Sequence, residues 1–513
     1  MKILYIDVDS LRPDHLGCYG YARATSPVID GLAREGIRFE NVMASDSPCL
    51  PSRTALWSGQ FGFLTGVVGH GGTAAEPFRE GTRRGFRDSF YKQGWMSTLR
   101  NAGHRTATIS SFGERHSAWH WYAGFNDIIN PGGLGLERAD EVVPLAIEWL
   151  ARHAWRTPGW FLHVNLWDAH TPYRTPGDFQ PSFLSDAPPG WIDAAMLERF
   201  RRGFGPHSAR EACGYDGGTD PRSPGAPGPV ADLDDVRHWI DGYDRSVRFA
   251  DQWIGRLIEA LAREGVLEET MIVVSADHGE NLGELNIWGD HQTADRITCR
   301  VPLIVRPPGG AGGRVDRAWH YQFDWAATLI EMAGGRVPET WDGISFATAL
   351  AAGGEAGREY LVTAHGAWSC QRGVHFAAAG RRWQALVTYH DGYKDLPSLM
   401  LFDADADPHE TRNMAATEPD LVARSMALLV EWQRQMMERS PTNVDPLMTV
   451  MREGGPFHCR GMLPAYLERL RRTGREEQAR MLERRHPEEA GRLTERRDGG
   501  SPRVTRSALG EGR

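Results

Sequence analysis

Two apolar runs in this chain end in acids, where strands rarely carry them. "MKILYIDVDS" brings Asp7 and Asp9, two positions apart and so on one side of an extended segment. "IVVSADHGE" brings Asp277 with His278 beside it. For either site alone, a turn or helix-cap residue is the lesser alternative. Taken with Cys49, in the turn-prone stretch "SPCLPSRTALWSG", the two sites read as converging ligands of one divalent metal. Cys49 itself has two readings. A free cysteine is usually a small buried hydrophobe, but its sulfur is also a starting material for chemistry.

The elements that must position these residues follow from the hydrophobic pattern. "KILYIDV", "RTATIS", "GWFLHVNL", "TMIVVSA" and "VPLIVRP" are rich in Ile, Val and Leu without clean alternation, as in strands buried on both faces of a parallel sheet. Helical patterns lie between them, including "SPVIDGLAREG" and "YDRSVRFADQWIGRLIEALAREG". In the second, Val247, Ala250, Trp253, Ile254, Leu257, Ile258 and Leu261 form a core stripe. The expected fold is α/β: a large, mostly parallel sheet sandwiched by helices, with ligands at the carboxyl ends of the strands. After about residue 355 alternating runs, "HFAAAG", "RRWQALVTY" and "LMLFDAD", predict a smaller C-terminal α+β domain with an antiparallel sheet and the helix "LVARSMALLVEWQRQMM". The expected division is therefore a catalytic domain over 1–355, a small domain over 356–445 and a charged helical tail over 446–513 with a disordered end. A Pro/Gly-rich surface loop is expected at about 213–230.

Bulk properties narrow the partners. The chain has 513 residues, 41% hydrophobic and 24% charged, with a formal net charge of −9, so there is no basic footprint for nucleic acid. No apolar stretch approaches the ~20 residues that span a bilayer, and the N-terminal run lacks the form of a secretory leader. Six scattered cysteines with no C-x-x-C pair fit reduced thiols, so a cytoplasmic protein without a membrane partner is expected.

"CLPSR" (Cys49 to Arg53) matches the C-x-P-S-R core of the type I sulfatases of the alkaline phosphatase superfamily. "DSLRPDHLGCYGY", "DAHTPY" (Asp168 to Tyr173), "SADHGENLGE" with "RVPLIVRPPG", and "LFDADADPHETRNMA" resemble that family's segments in its order, over roughly residues 1–440. The resemblance implies that Cys49 is oxidised by a formylglycine-generating enzyme to Cα-formylglycine. One hydroxyl of its hydrate would attack the sulfur of a sulfate ester, and the other would expel sulfate as the aldehyde re-forms. It also implies one divalent metal, calcium, with magnesium, manganese or zinc open, held by Asp9, Cys49, Asp277 and His278. Asp7, one strand step further in, is an additional candidate. Arg53 would hold the formylglycine oxygen and neighbouring carboxylates, and His170 would protonate the departing alcohol.

Three departures from the family pattern bear on substrate binding. Ser10 follows Asp9 where the family usually has a second aspartate. Two sulfate-gripping lysines are replaced, by Arg115 and His116 in "SSFGERHSAWHWYAGF" and by Asp290 and His291 in "NIWGDHQTADR". His116, His291 and Arg115 thus become the candidate anion holders. Trp119, Trp121, Tyr122, Trp167, Tyr173 and Trp288 could stack on a sugar or aryl ring, or simply be core. The expected activity is hydrolysis of a small-molecule or saccharide sulfate ester. The alternatives are a phosphonate or phosphate mono- or diester hydrolase of the same superfamily, and an inactive binding homologue.

Overall fold

The computed structural model describes residues 1–77, 92–187, 190–215, 217, 225–440 and 442–490. All five apolar runs are strands: β1 (Lys2–Val8), β4 (Arg105–Ile109), β6 (Trp160–Leu166), β7 (Thr270–Ser275) and β10 (Arg300–Arg306). They join β2 (Ile37–Met43), β5 (Asp127–Ile129) and β11 (Arg314–Tyr321) in an eight-stranded sheet ordered β11-β2-β10-β7-β1-β6-β4-β5. β1 lies between β6 and β7 and parallel to both, with Asp7 opposite Asn165 on one side and Ser275 on the other. This register brings the acidic end of β1 level with the "ADH" that follows β7. β10 runs antiparallel to β7 and β2. Its composition signals burial on both faces but carries no signal of direction, so the sheet is mostly and not wholly parallel. Between β7 and β10 the chain forms a short ribbon of β8 (Asn281–Leu282) and β9 (Trp288–Asp290).

The smaller sheet contains β3 (Asp46–Ser47), β12 (Tyr360–His365), β13 (Cys370–Ala378), β14 (Arg381–His390) and β15 (Leu399–Asp403). It is ordered β15-β14-β13-β12-β3 and is mostly antiparallel. The edge strand β3 is only two residues long and pairs parallel with β12. The second sheet therefore grips the chain two residues before Cys49.

The helix Cys49–Ser58 is wholly buried and ends at Gly59, whose φ of 66° is left-handed. A Cβ there would lie 1.9 Å from a ring atom of Trp341, so only glycine fits this exit. Beneath the helix, Trp57 packs on Tyr5, Trp95, Trp121 and His163 at centroid distances of 6.5, 5.4, 4.9 and 5.1 Å. Such aromatic contacts add about 0.5–1.5 kcal/mol per pair beyond area burial and fix the helix against β1 and β6.

The long helix Leu233–Arg263 buries Val247, Ala250, Ile254, Leu257 and Leu261, with Trp253 and Ile258 partly buried against the same core. The chain divides into two compact units, Met1–His458 and Cys459–Arg513. In the second, the expected single charged helix is two, Leu463–Arg472 and Glu476–Arg485. Gly474, at φ 77°, separates them, and the Arg475 N–H returns to the Leu470 carbonyl. Of the expected loop at 213–230, residues 216 and 218–224 lie outside the described residues, as do about the last 15 residues, where a disordered end is expected. No helix among the described residues is long and apolar enough to cross a membrane.

Candidate active site

Arg53 lies one turn into its helix from Cys49 and faces the end of β1. Its guanidinium donates from Nε to Asp7 Oδ2 (2.9 Å) and from Nη1 to Asp9 Oδ2 (3.0 Å) and Asp277 Oδ2 (2.5 Å). All four side chains are buried. Around this pairing, single donor atoms of Asp9, Cys49, Asp277 and His278 all lie within 4.8 Å of one another. Cys49, His278 and His291 form an overlapping group on the same criterion. The candidate ligands are thus brought together, except Asp7. It is in neither group and serves Arg53 instead, because its place inside β1 keeps it a step short of the strand end.

His278 sits 3.1 Å from Cys49 Sγ through Nε2, while its Nδ1 is 2.8 Å from the Gly279 carbonyl. A carbonyl only accepts, so Nδ1 carries the proton and Nε2 offers its lone pair to the site. Burial pushes the His278 imidazolium well below its ordinary pKa, so the ring is neutral. Ser10, at a left-handed φ of 62°, donates its N–H to Asp277 Oδ1 (3.2 Å) and its hydroxyl to Asp9 Oδ1 (3.0 Å). The residue that replaces an expected acid therefore orients two others. Ser52 adds a bond to the Asp277 carbonyl at 2.6 Å.

Electrostatics favour a cation here. Three buried carboxylates face one guanidinium, an imbalance of two negative charges. Burial, with Asp9 and Asp7 nearby, pushes Asp277 up against the pull of Arg53. For Asp9 the attraction of Arg53 outweighs burial and holds it down. Without a further positive charge these acids cannot all ionise. Arg53 Nη2 is also buried without a hydrogen-bond partner. Two carboxylates, a neutral imidazole and the Cys49 position fit one divalent cation. With no cation in the site, burial and then Asp9 push the Cys49 thiol up to about 12.

The candidate substrate residues separate into two places. His291 packs on His278 at 4.0 Å between centroids, lies 5.1 Å from His170, and is 3.1 Å from Glu280 Oε2 through Nδ1. Burial would lower its pKa, but Asp290 and Glu280 outweigh it and push it well above the ordinary range, so the ring is an imidazolium. His116 instead packs on Phe112 and His70 at 5.1 and 5.0 Å. Burial, then Arg115, lowers it well below the usual range, so it carries no charge. Arg115 lies over Trp167 at 5.1 Å and donates to the Leu134 carbonyl at 2.9 Å. Arg53 lies over the same indole at 5.4 Å, so Trp167 joins the two arginines. His170 Nδ1 bonds the Thr171 carbonyl, and burial brings the ring's pKa down to about 4. Of the aromatics considered for stacking, Trp121, Trp167, Tyr173 and Trp288 are fully buried core. Only Trp119 is widely exposed.

Glu280 is a site residue that sequence reasoning misses. It is fully buried and joins His291, Thr171 and Tyr173. Its one signal is its place in "ADHGE", an acid two residues beyond a candidate ligand.

The chain belongs to the sulfatase family of the alkaline phosphatase superfamily: the Sulfatase family model matches residues 2–335, and the model for the N-sulphoglucosamine sulphohydrolase C-terminal region matches residues 283–435. Human iduronate 2-sulfatase is 26% identical over 64% of this chain and 65% of its own length. The N-acetylglucosamine-6-O-sulfatase of Bacteroides thetaiotaomicron is 23% identical over 87% of this chain and 88% of its own. Among solved structures, a 2-O GAG sulfatase superposes with a TM-score of 0.64 at 18% identity, covering 85% of this chain and 92% of that one. The phosphonate monoester hydrolase of Silicibacter pomeroyi superposes with a TM-score of 0.63 at 21% identity, covering 88% and 97%. At these identities the superpositions establish the shared fold.

Proposed function

We propose that this protein hydrolyses sulfate esters, with Cys49 acting as formylglycine and Asp9, Asp277 and His278 holding one divalent cation. Calcium is the proposed ion, ahead of magnesium, manganese or zinc. The observation that carries this reading is the buried group Asp9, Cys49, Asp277 and His278 assembled on Arg53. When bound, the cation would supply Lewis acidity to the sulfuryl oxygens and lower the pKa of the nucleophile.

The remaining work falls to the chain's own side chains. Arg53 holds the Cys49 position against the carboxylates and keeps an N–H of Nη2 uncommitted for an oxygen there. His291, charged and next to both His278 and His170, is the proposed partner of the ester's anionic oxygens. His170 is neutral in the free protein. A bound anion beside it raises its pKa, so it takes up a proton with substrate and delivers it to the leaving alcohol. Arg115, on the shared Trp167, is a second candidate contact.

The proposed substrate is the sulfate ester of a small molecule or saccharide, the class named for several relatives. A formylglycine-generating enzyme would read Cys49, Pro51 and Arg53 during maturation. The test is a panel of sulfate, phosphate and phosphonate esters assayed with converted, metal-loaded protein. The reading expects the largest kcat/KM for a sulfate ester. A phosphonate or phosphate ester in first place would move the protein to the neighbouring activity, and no turnover of any ester would make it a binding homologue.

A further inference from the structure

Asp7 is the carboxylate that the site does not need as a ligand. It is 2% exposed and sits inside β1, where an unpaired charge is costly. Its Oδ2 accepts from Arg53 Nε at 2.9 Å and lies 3.3 Å from His163 Nε2. His163 is fully buried on the neighbouring β6, with Nδ1 2.9 Å from the Thr108 hydroxyl on β4. The tautomer follows: the Asp7 carboxylate only accepts, so Nε2–H donates to it and Nδ1 accepts from the Thr108 hydroxyl. Trp57 and Trp121 hold the imidazole edge-on at 5.1 and 5.4 Å. A relay from β4 through β6 and β1 therefore ends on the guanidinium that binds Asp9 and Asp277.

Charge gives the relay a purpose. Arg53 already faces Asp9 and Asp277, and Asp7 adds a third buried carboxylate to it. The more negative group attracts a divalent cation more strongly than the two carboxylates alone would. We propose that Asp7 is a positioning residue: held by His163, it fixes Arg53 and completes the buried charge that attracts a divalent cation it does not touch. This rests on the metal part of the proposed function and not on the ester hydrolysed.

The test is isothermal titration of the full-length, metal-free protein with calcium chloride, for wild type, Asp7→Asn and His163→Phe. Removing an outer partner of this kind typically costs about 10–100-fold in metal affinity. Asp7→Asn should therefore bind calcium 10–100-fold more weakly with one site retained, while the unfolding midpoint of the metal-free protein stays within a few degrees of wild type. A purely structural role would move the midpoint and spare the affinity. His163→Phe should weaken binding at least threefold, and it carries the test alone if Asp7→Asn does not fold. Unchanged calcium affinity in the folded variants overturns the proposal, as does complete loss of the site in Asp7→Asn, which would make Asp7 a ligand. A wild type that binds calcium but cleaves no sulfate ester fails the functional reading and leaves this result standing.

Discussion

His278 Nε2 lies 3.1 Å from Cys49 Sγ, and its other nitrogen is committed to the Gly279 carbonyl. The contact joins the end of β7 to the first residue of the helix Cys49–Ser58.

Metal dependence follows first. Chelation should abolish turnover, and calcium should restore it. Asp277→Asn removes a charged ligand candidate while keeping its shape, and should weaken calcium binding by more than about 100-fold in a calorimetric titration. Full activity in a metal-free preparation would contradict the assignment.

His170 is tested by the leaving group. If it protonates the departing alcohol, His170→Asn should slow hydrolysis of an alkyl or saccharide sulfate by about 10²–10⁴-fold. A nitrophenyl sulfate, whose leaving group needs no proton, should lose far less. Equal losses on both substrates would place His170 in binding and not in acid catalysis.

Substitution should also separate the two histidines that stand where the family has lysines. His291→Ala removes an imidazolium beside the ligand group and should raise KM for the ester by roughly tenfold or more, the scale of one charge-assisted hydrogen bond. His116→Ala removes a neutral ring and should change KM by less than about threefold, mainly through packing on Phe112 and His70. Equal KM effects in steady-state assays would show that charge at His291 is not what holds the anion.

Asp168, in the same "DAHTPY" segment, gives a pH signature of stability. Burial raises its pKa from 3.8 to about 7, with one oxygen on the Ala139 N–H and the other without a hydrogen-bond partner. A raised folded-state value means that the protonated form stabilises the fold. That contribution is complete below about pH 4 and is lost as pH rises through about 7, with an upper bound of about 4 kcal/mol. Asp168→Asn keeps the acceptor and cannot ionise. Its unfolding midpoint relative to wild type should therefore rise between pH 5 and pH 8. A constant difference over that range would show that Asp168 is ionised throughout.

The sequence makes some of these relationships legible and hides others. Asp9, Asp277, His278 and Cys49 stand out because strand ends and turns are poor places for such residues without a purpose. The same spacing argument puts Asp7 beside Asp9 but cannot show that Arg53 claims it. His163 gives no signal because a histidine in "GWFLHVNL" looks like any core polar residue. β3 is two residues long, too short for any periodicity, yet it ties the second sheet to the nucleophile turn. Ser10 reads as a missing charge, whereas its hydrogen bonds to Asp9 and Asp277 are visible only in three dimensions. Chain neighbourhood alone suggests six stacking aromatics, and four of the six are core.

The central claim is that Cys49 works as formylglycine. Its most direct test is peptide mass spectrometry of the segment containing Cys49, made on protein expressed with a generating enzyme and assayed in the same preparation. The peptide should appear lighter than the thiol form, because one oxygen replaces the sulfur and a pair of hydrogens, and turnover should scale with the converted fraction. Cys49→Ser should lose about a thousandfold or more, because a serine hydroxyl cannot expel sulfate by re-forming an aldehyde. Full activity in a preparation whose Cys49 is entirely thiol would contradict the claim.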